Sequence, residues 1–204
     1  MNQGKAENAL RKLHSLSGVI PLGVFLMVHM LVNYSATGGE EAYNFAAGIM
    51  ANLPFRYFLE TFVIFVPLLF HAVYGVYVAL KAKQNVLKYG YFRNWGFFFQ
   101  RVTGFIAFAF VIWHIWDTRV QAALGAEPNF EMMAALVTDP LTLGLYLVGV
   151  VCVLFHFANG LWTLLITWGI TVTPKSQKFT QYALMLFFIG FSALGVQALF
   201  AFAQ

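Results

Sequence analysis

The chain has 204 residues, of which 60% are hydrophobic and only 10% charged, and its mean hydropathy is +0.72. A water-soluble domain carries about a quarter charged residues, so this composition excludes one and describes an integral membrane protein. The formal charge of +4 does not mark a nucleic-acid binder, because the basic residues are sorted by loop, and the single cysteine, Cys152, rules out an intrachain disulfide or a cysteine-based metal site.

Taken in order, the chain begins with a polar, basic stretch, 1–12, which looks like the start of a signal peptide. The apolar run behind it is too long for that and carries His29, so it is read as a retained first span, 13–32, with Pro21 inside it. About 20 apolar residues cross a hydrocarbon layer of about 30 Å, and four further runs meet that requirement: 57–80, 97–116, 141–168 and 182–202. Between them lie a Gly- and Glu-containing stretch with a short surface helix over 42–51, a Lys- and Arg-rich loop over 81–95, an acidic segment over 122–139 broken by Pro128 and Pro140, and a short basic turn over 171–178. The fold expected is a single all-α membrane domain, 1–204, of five spanning helices, the first four forming a bundle.

Charge fixes the expected orientation. Every Lys and Arg except Arg56 and Arg119 falls before the first span, between the second and third or at the start of the third (Arg101), or between the fourth and fifth, whereas every acid except Glu7 falls on the opposite side. By the positive-inside rule the amino terminus is cytoplasmic and, with five spans, the carboxyl terminus external.

Four of the five histidines, His29, His71, His114 and His156, stand one each in the first four spans, and His14 lies at a cytoplasmic edge. An ionisable group inside a bilayer needs a partner and is functional by default. His29 and His114 come just before their spans leave the lipid on the external side. His71 and His156 lie about 15 and 18 Å short of the cytoplasmic ends at 1.5 Å per residue. Depth therefore pairs His29 with His114 and His71 with His156. Two imidazoles facing each other across a bundle can grip one planar ring, the arrangement of bis-histidine haem b, which needs no CxxCH attachment motif. Gly75 and Gly160, each four residues after a histidine, and Gly18, eleven before His29, leave room on the same faces. A proton relay or a histidine-based transporter is the rival reading. It would recruit intramembrane carboxylates, and Glu60 and Asp117 stand only at span ends.

The segments RKLHSLSGVIPLG, LPFRY followed by Glu60, FHAVYGVY, YFRNW, QRVTG, WHIWDTR, FHFANGLW and TWGITVTPKSQ run through nearly the whole chain. Together they resemble the single-chain di-haem cytochrome b subunit of bacterial succinate dehydrogenases, with succinate:menaquinone reductases of Firmicutes most similar and di-haem fumarate reductase anchors as relatives. The resemblance implies an anchor in the bacterial cytoplasmic membrane that holds two haem b groups on His29, His71, His114 and His156, in the pairing reached from depth. It implies a cytoplasmic face docked to an iron–sulfur and a flavoprotein subunit, with electrons passing from the inner haem to the outer and then to menaquinone. Inner-haem propionates would meet His14, Ser15 and Arg101, residues that positive-inside placement and helix capping explain equally well. An external quinone would draw on Asn33, Arg56, Glu60, Asp117 or Arg119, which also fit interfacial capping. The membrane glutamate that some fumarate reductases carry near the fourth ligand is absent, its surroundings being Val153, Leu154 and Phe155, which favours succinate oxidation over the reverse. An anchor working as a fumarate reductase, or the cytochrome b of a hydrogenase or formate dehydrogenase, remains the alternative.

Overall fold

Inside a bilayer each backbone amide and carbonyl must be satisfied within its own segment, so long apolar runs become helices. The computed structural model describes residues 3–204, and among these every regular element is helical. Five helices are long and apolar enough to cross a membrane: Gly4–Gly38, Arg56–Lys81, Phe92–Ala123, Pro140–Thr167 and Pro174–Phe202. They are called here the first to fifth spans.

Most of them outrun the apolar stretches that announce them. Residues 1–2 of the polar amino-terminal stretch lie outside the described residues, but helix Gln3–Val19 already includes Lys5, Arg11 and Lys12, and the span continues through Ile20, which keeps α-helical dihedrals, into Pro21–Tyr34. Proline lacks an amide hydrogen and is tolerated where a neighbouring helix makes up for the lost bond. The third span runs on past Trp116 through Asp117 and Arg119, because Trp116–Val120 widens into a π-helical turn. Leu59–Phe65 in the second span is π-helical as well. π turns inside α-helices concentrate at functional sites, and both of these lie at the end of the bundle that carries the acidic loops.

That acidic end is also where the core sits. A surface helix, Glu40–Ala51, and a second, Phe130–Val137, lie over the ends of the first, fourth and fifth spans. The second interrupts what sequence reads as an acidic loop. It forms because Asn129 caps it, accepting from the Met132 amide, and because Met133 and Val137 are buried beneath it. Asn44 Oδ1 accepts from the Phe130 amide at 2.8 Å and ties the two helices together. With Ala36, Tyr43, Tyr146, Leu199 and Phe202 they enclose a continuous apolar cluster. Asp139 and Thr173 cap the fourth and fifth spans, and the Thr142 amide donating to Asp139 holds its carboxyl below the usual carboxylate range. Elsewhere the bundle turns large apolar side chains outward, Leu69, Leu80 and Leu186 among them, as a lipid-facing surface does.

The basic end is knitted by tryptophans. Trp162 Nε1 donates to the Gln177 carbonyl at 2.9 Å, joining the fourth span to the fifth. Trp168 Nε1 donates to Ser15 Oγ at 3.2 Å while Lys12 lies over its ring, joining the 168–173 turn to the first span.

Close approach of the third and fourth spans depends on Gly149, where an added methyl would lie 2.3 Å from the Phe110 ring. Gly149→Ala is expected to destabilise the detergent-solubilised protein by the ~1–3 kcal/mol of an overpacked core. Gly144→Ala, whose methyl meets nothing within 4 Å, is expected to leave the thermal unfolding midpoint unchanged.

Candidate functional site

The helices bring the four intramembrane histidines together two by two. The rings of His71 and His156 have centroids 6.2 Å apart and planes at 88°. The rings of His29 and His114 are 5.7 Å apart at 75°. Each imidazole is partly buried, and no carboxylate pairs with any of them among the described residues.

At the level of His71 a backbone carbonyl approaches one ring nitrogen of each histidine. His71 Nδ1 lies 3.0 Å from the His14 carbonyl, and His156 Nδ1 lies 3.0 Å from the Gln100 carbonyl. A carbonyl only accepts, so in these contacts Nδ1 donates and Nε2 keeps a lone pair; at His156 the Gln100 Nε2 amide also stands 3.2 Å from the same Nδ1. This is the arrangement of metal-binding imidazoles, whose second nitrogen is held by an outer partner. Around His156 the third span adds side chains: Gln100 Nε2 donates to the His156 carbonyl at 3.0 Å, and Asn159 Nδ2 donates to Gln100 Oε1 at 2.6 Å and to the Gly96 carbonyl at 3.3 Å. Amides placed in an apolar bundle are tolerated when their donors and acceptors are satisfied in this way.

Beside this pair His14 stacks on His71 at 4.2 Å and 8°. His14 Nε2, Tyr74 Oη and Arg101 Nε are all buried without a hydrogen-bond partner. Orphaned buried polar atoms are uncommon and call for a ligand or water. Arg101 otherwise donates from Nη1 to the Phe97 carbonyl and lies over the Phe97 ring. Ser15 is already engaged, donating to the Lys12 carbonyl and accepting from Trp168. A methyl added at Gly75 would lie 3.0 Å from His14 Nε2 and one at Gly160 3.3 Å from Gln100 Nε2, and Gly18 faces His71 itself.

The level of His29 is held by side chains instead. Asn33 Nδ2 donates to the His29 carbonyl at 2.8 Å and stands 3.4 Å from its Nε2, and Tyr146 Oη stands 3.5 Å from His114 Nδ1. Tyr146 is 2% exposed and belongs to the apolar cluster under the two surface helices. Toward the acidic end, Glu60 takes Arg56 Nε on one carboxylate oxygen at 2.9 Å and Arg119 Nη2 on the other at 2.6 Å. Each of the three side chains is less than a third exposed. The two π turns place Glu60 and Arg119 in this contact, and the first of them packs on the helix that carries His29. Asp117 makes no ion pair among the described residues.

Gln100, Asn159, Gly104 and Tyr146 are not reached by reasoning from histidines alone. The signal that finds Gln100 and Asn159 is the one that finds histidines: a polar side chain within an apolar run.

A sequence model of the succinate dehydrogenase/fumarate reductase transmembrane subunit matches residues 81–196. The succinate dehydrogenase cytochrome b558 subunit of Bacillus subtilis (strain 168) is 54% identical over 199 residues, 98% of each chain. The chain belongs to the succinate dehydrogenase/fumarate reductase transmembrane subunit family. The all-helical, five-span architecture expected from composition is the one observed in this family member. The residues matched to the family run from Lys81 through the third and fourth spans into the fifth, and so include His114, His156 and the Gln100–Asn159 contact.

Charge neutralisation of two arginines by one carboxylate makes Glu60 the centre of its triad. Glu60→Gln is expected to destabilise the solubilised protein by ~1–3 kcal/mol, between the values of exposed and buried pairs. Adding Arg119→Gln is expected to cost little more, because both changes remove the same contact; strictly additive midpoints in thermal unfolding would contradict this.

Proposed function

We propose that this chain is the haem b-carrying membrane anchor of a bacterial succinate:menaquinone oxidoreductase, with His71 and His156 holding one haem and His29 and His114 the other. The observation that carries this reading is the paired imidazoles, 6.2 and 5.7 Å between centroids. With metal–nitrogen bonds of about 2 Å, imidazoles on either side of one ion stand at about that separation. Two protein ligands per metal suffice only when a macrocycle supplies the rest, and among the described residues no group of three or more His, Cys, Asp or Glu could hold a bare ion. When bound, haem b supplies a one-electron couple that oxygen- and nitrogen-donor side chains cannot.

The protein's own residues do the rest. The His14 and Gln100 carbonyls hold the inner imidazoles in the tautomer that presents Nε2. His14, Tyr74 and Arg101, with their unpartnered atoms, are placed to receive carboxylates at the basic end by hydrogen bond and ion pair. That end, with Lys81, Lys83, Lys175 and Lys178, is the cytoplasmic face on which the iron–sulfur and flavoprotein subunits dock. The level of His71 and His156 is then the entry side for electrons, and the level of His29 and His114 the exit side. At the external end Arg56 and Arg119 offer donors to a menaquinone carbonyl, Glu60 exchanges protons, and Asn33 and Asp117 border the same region. Support for the succinate direction comes from the name of the Bacillus subtilis relative and from the absence of a glutamate beside His156.

The purified complex is expected to show two low-spin b-type haems per anchor in its reduced-minus-oxidised spectrum, and to contain a flavoprotein and an iron–sulfur protein. His71→Ala or His156→Ala is expected to remove one haem and His29→Ala or His114→Ala the other. An isolated chain that binds no haem and conducts protons in liposomes would establish the transporter reading instead.

A further inference from the structure

The hydrogen bonds at the inner level are two copies of one device. His71 is held by the carbonyl of residue 14 and His156 by the carbonyl of residue 100, and in each case the residue one turn later is glycine, Gly18 or Gly104. A helical carbonyl already accepts from the amide four residues on and has one lone pair left, which at His14 the ring N–H shares with the Ser17 hydroxyl, 2.9 Å from the same oxygen, whereas the matching Thr103 hydroxyl turns to the Phe99 carbonyl. The side chain at that fourth residue lies over the same face and covers it. Only where that residue has no side chain can a ring N–H from a neighbouring helix reach in. The distances agree. A methyl at Gly18 would lie 2.5 Å from His71 Cε1 and 2.9 Å from Nδ1, and one at Gly104 would lie 3.0 Å from His156 Cε1 and 3.2 Å from Nδ1.

The likeness runs further along both hairpins. Both ligands sit in the pattern Phe-His-x-x-x-Gly, at 70–75 and 155–160. In each, the glycine faces the side chain of the residue whose carbonyl accepts, Gly75 on His14 and Gly160 on Gln100. A buried hydroxyl, Ser17 or Thr103, precedes each notch glycine. One turn before each outer histidine stands a phenylalanine, Phe25 or Phe110, in ring contact with it, and one turn after stands a side chain, Asn33 or Thr118, that donates to its carbonyl. From notch glycine to outer histidine is one residue longer in the first span than in the third.

We infer that the first four spans are a duplicated helical hairpin, and that in each copy a carbonyl bared by a glycine one turn later, His14 with Gly18 and Gln100 with Gly104, seats the inner imidazole contributed by the other span of the same hairpin. Gly18 and Gly104 are thereby positioning residues for the inner pair. They fix ring tilt and tautomer without touching a ligand themselves. The inference deepens the ligation reading above and rests on it.

The test compares Gly18→Ala, Gly104→Ala and the control Gly144→Ala in the complete membrane complex, reading haem content, the electron paramagnetic resonance signal of each low-spin haem, and redox titrations. Gly144→Ala is expected to match the unsubstituted complex. Gly104→Ala is expected to keep both haems and shift the signal and potential of only the haem that His71→Ala removes. Gly18→Ala, with the closer clash, is expected to shift that same haem further or lose it. Unchanged inner-haem signals in both glycine variants, or a shift of the outer haem instead, overturns the inference. If neither variant assembles, electron–nuclear double resonance on the unsubstituted complex decides: a hydrogen-bonded Nδ1 proton on both inner imidazoles is expected, and its absence overturns the inference. An unsubstituted complex without two bis-imidazole haems sinks the ligation reading; one that has them, with insensitive glycine variants, sinks the notch alone.

Discussion

An imidazole inside a helical bundle has two nitrogens and, in an apolar interior, few partners for either. An unsatisfied N–H there is costly, and the chain meets that demand at the inner level with backbone rather than side chain. His71 and His156 each donate to a carbonyl of the neighbouring helix at 3.0 Å. Because a carbonyl belongs to a rigid helix and cannot rotate away, the ring it holds is fixed in plane and tautomer. Much of the packing between paired spans follows from that contact: it requires glycine on one helix and brings the partner helix close enough for Asn159 to reach Gln100 and Gly96.

The outer level is organised differently. His29 and His114 meet an asparagine amide and a tyrosine hydroxyl at 3.4 and 3.5 Å, longer and more adjustable contacts than those of the inner rings. Tyr146 is at once the partner of His114 and a member of the apolar cluster beneath the surface helices. The acidic-end cap and the outer histidine therefore share a side chain, and the Arg56–Glu60–Arg119 triad locks the second span to the third on the same side.

Much of this was legible in the chain. Four histidines in uncharged apolar runs are anomalies that hydropathy exposes at once, and depth counted along the helices sorts them into the pairs that the structure brings side by side. Span number follows from length and polarity alone. Span ends did not, because Gln3–Lys12, Asp117 and Arg119 are polar residues in helices that project beyond the lipid, where composition no longer distinguishes helix from loop. The helix Phe130–Val137 was hidden for the opposite reason: its burial depends on a partner helix remote in sequence. Glycines were visible as gaps, but not what fills them. Gly75 and Gly160 read as space for a ring, and the structure sets His14 and Gln100 against them.

The surplus residue of the first span has a geometric meaning. Each residue of an α-helix turns the chain by about 100°, so one more residue between Gly18 and His29 than between Gly104 and His114 aims the two outer imidazoles differently with respect to their inner contacts. Ile20 keeps α-helical dihedrals ahead of Pro21 and its amide donates to the Leu16 carbonyl, so the first span carries that offset through to His29. The two hairpins reach the outer level out of step, and there His29 and His114 meet at 75° with unlike partners, an asparagine amide and a tyrosine hydroxyl.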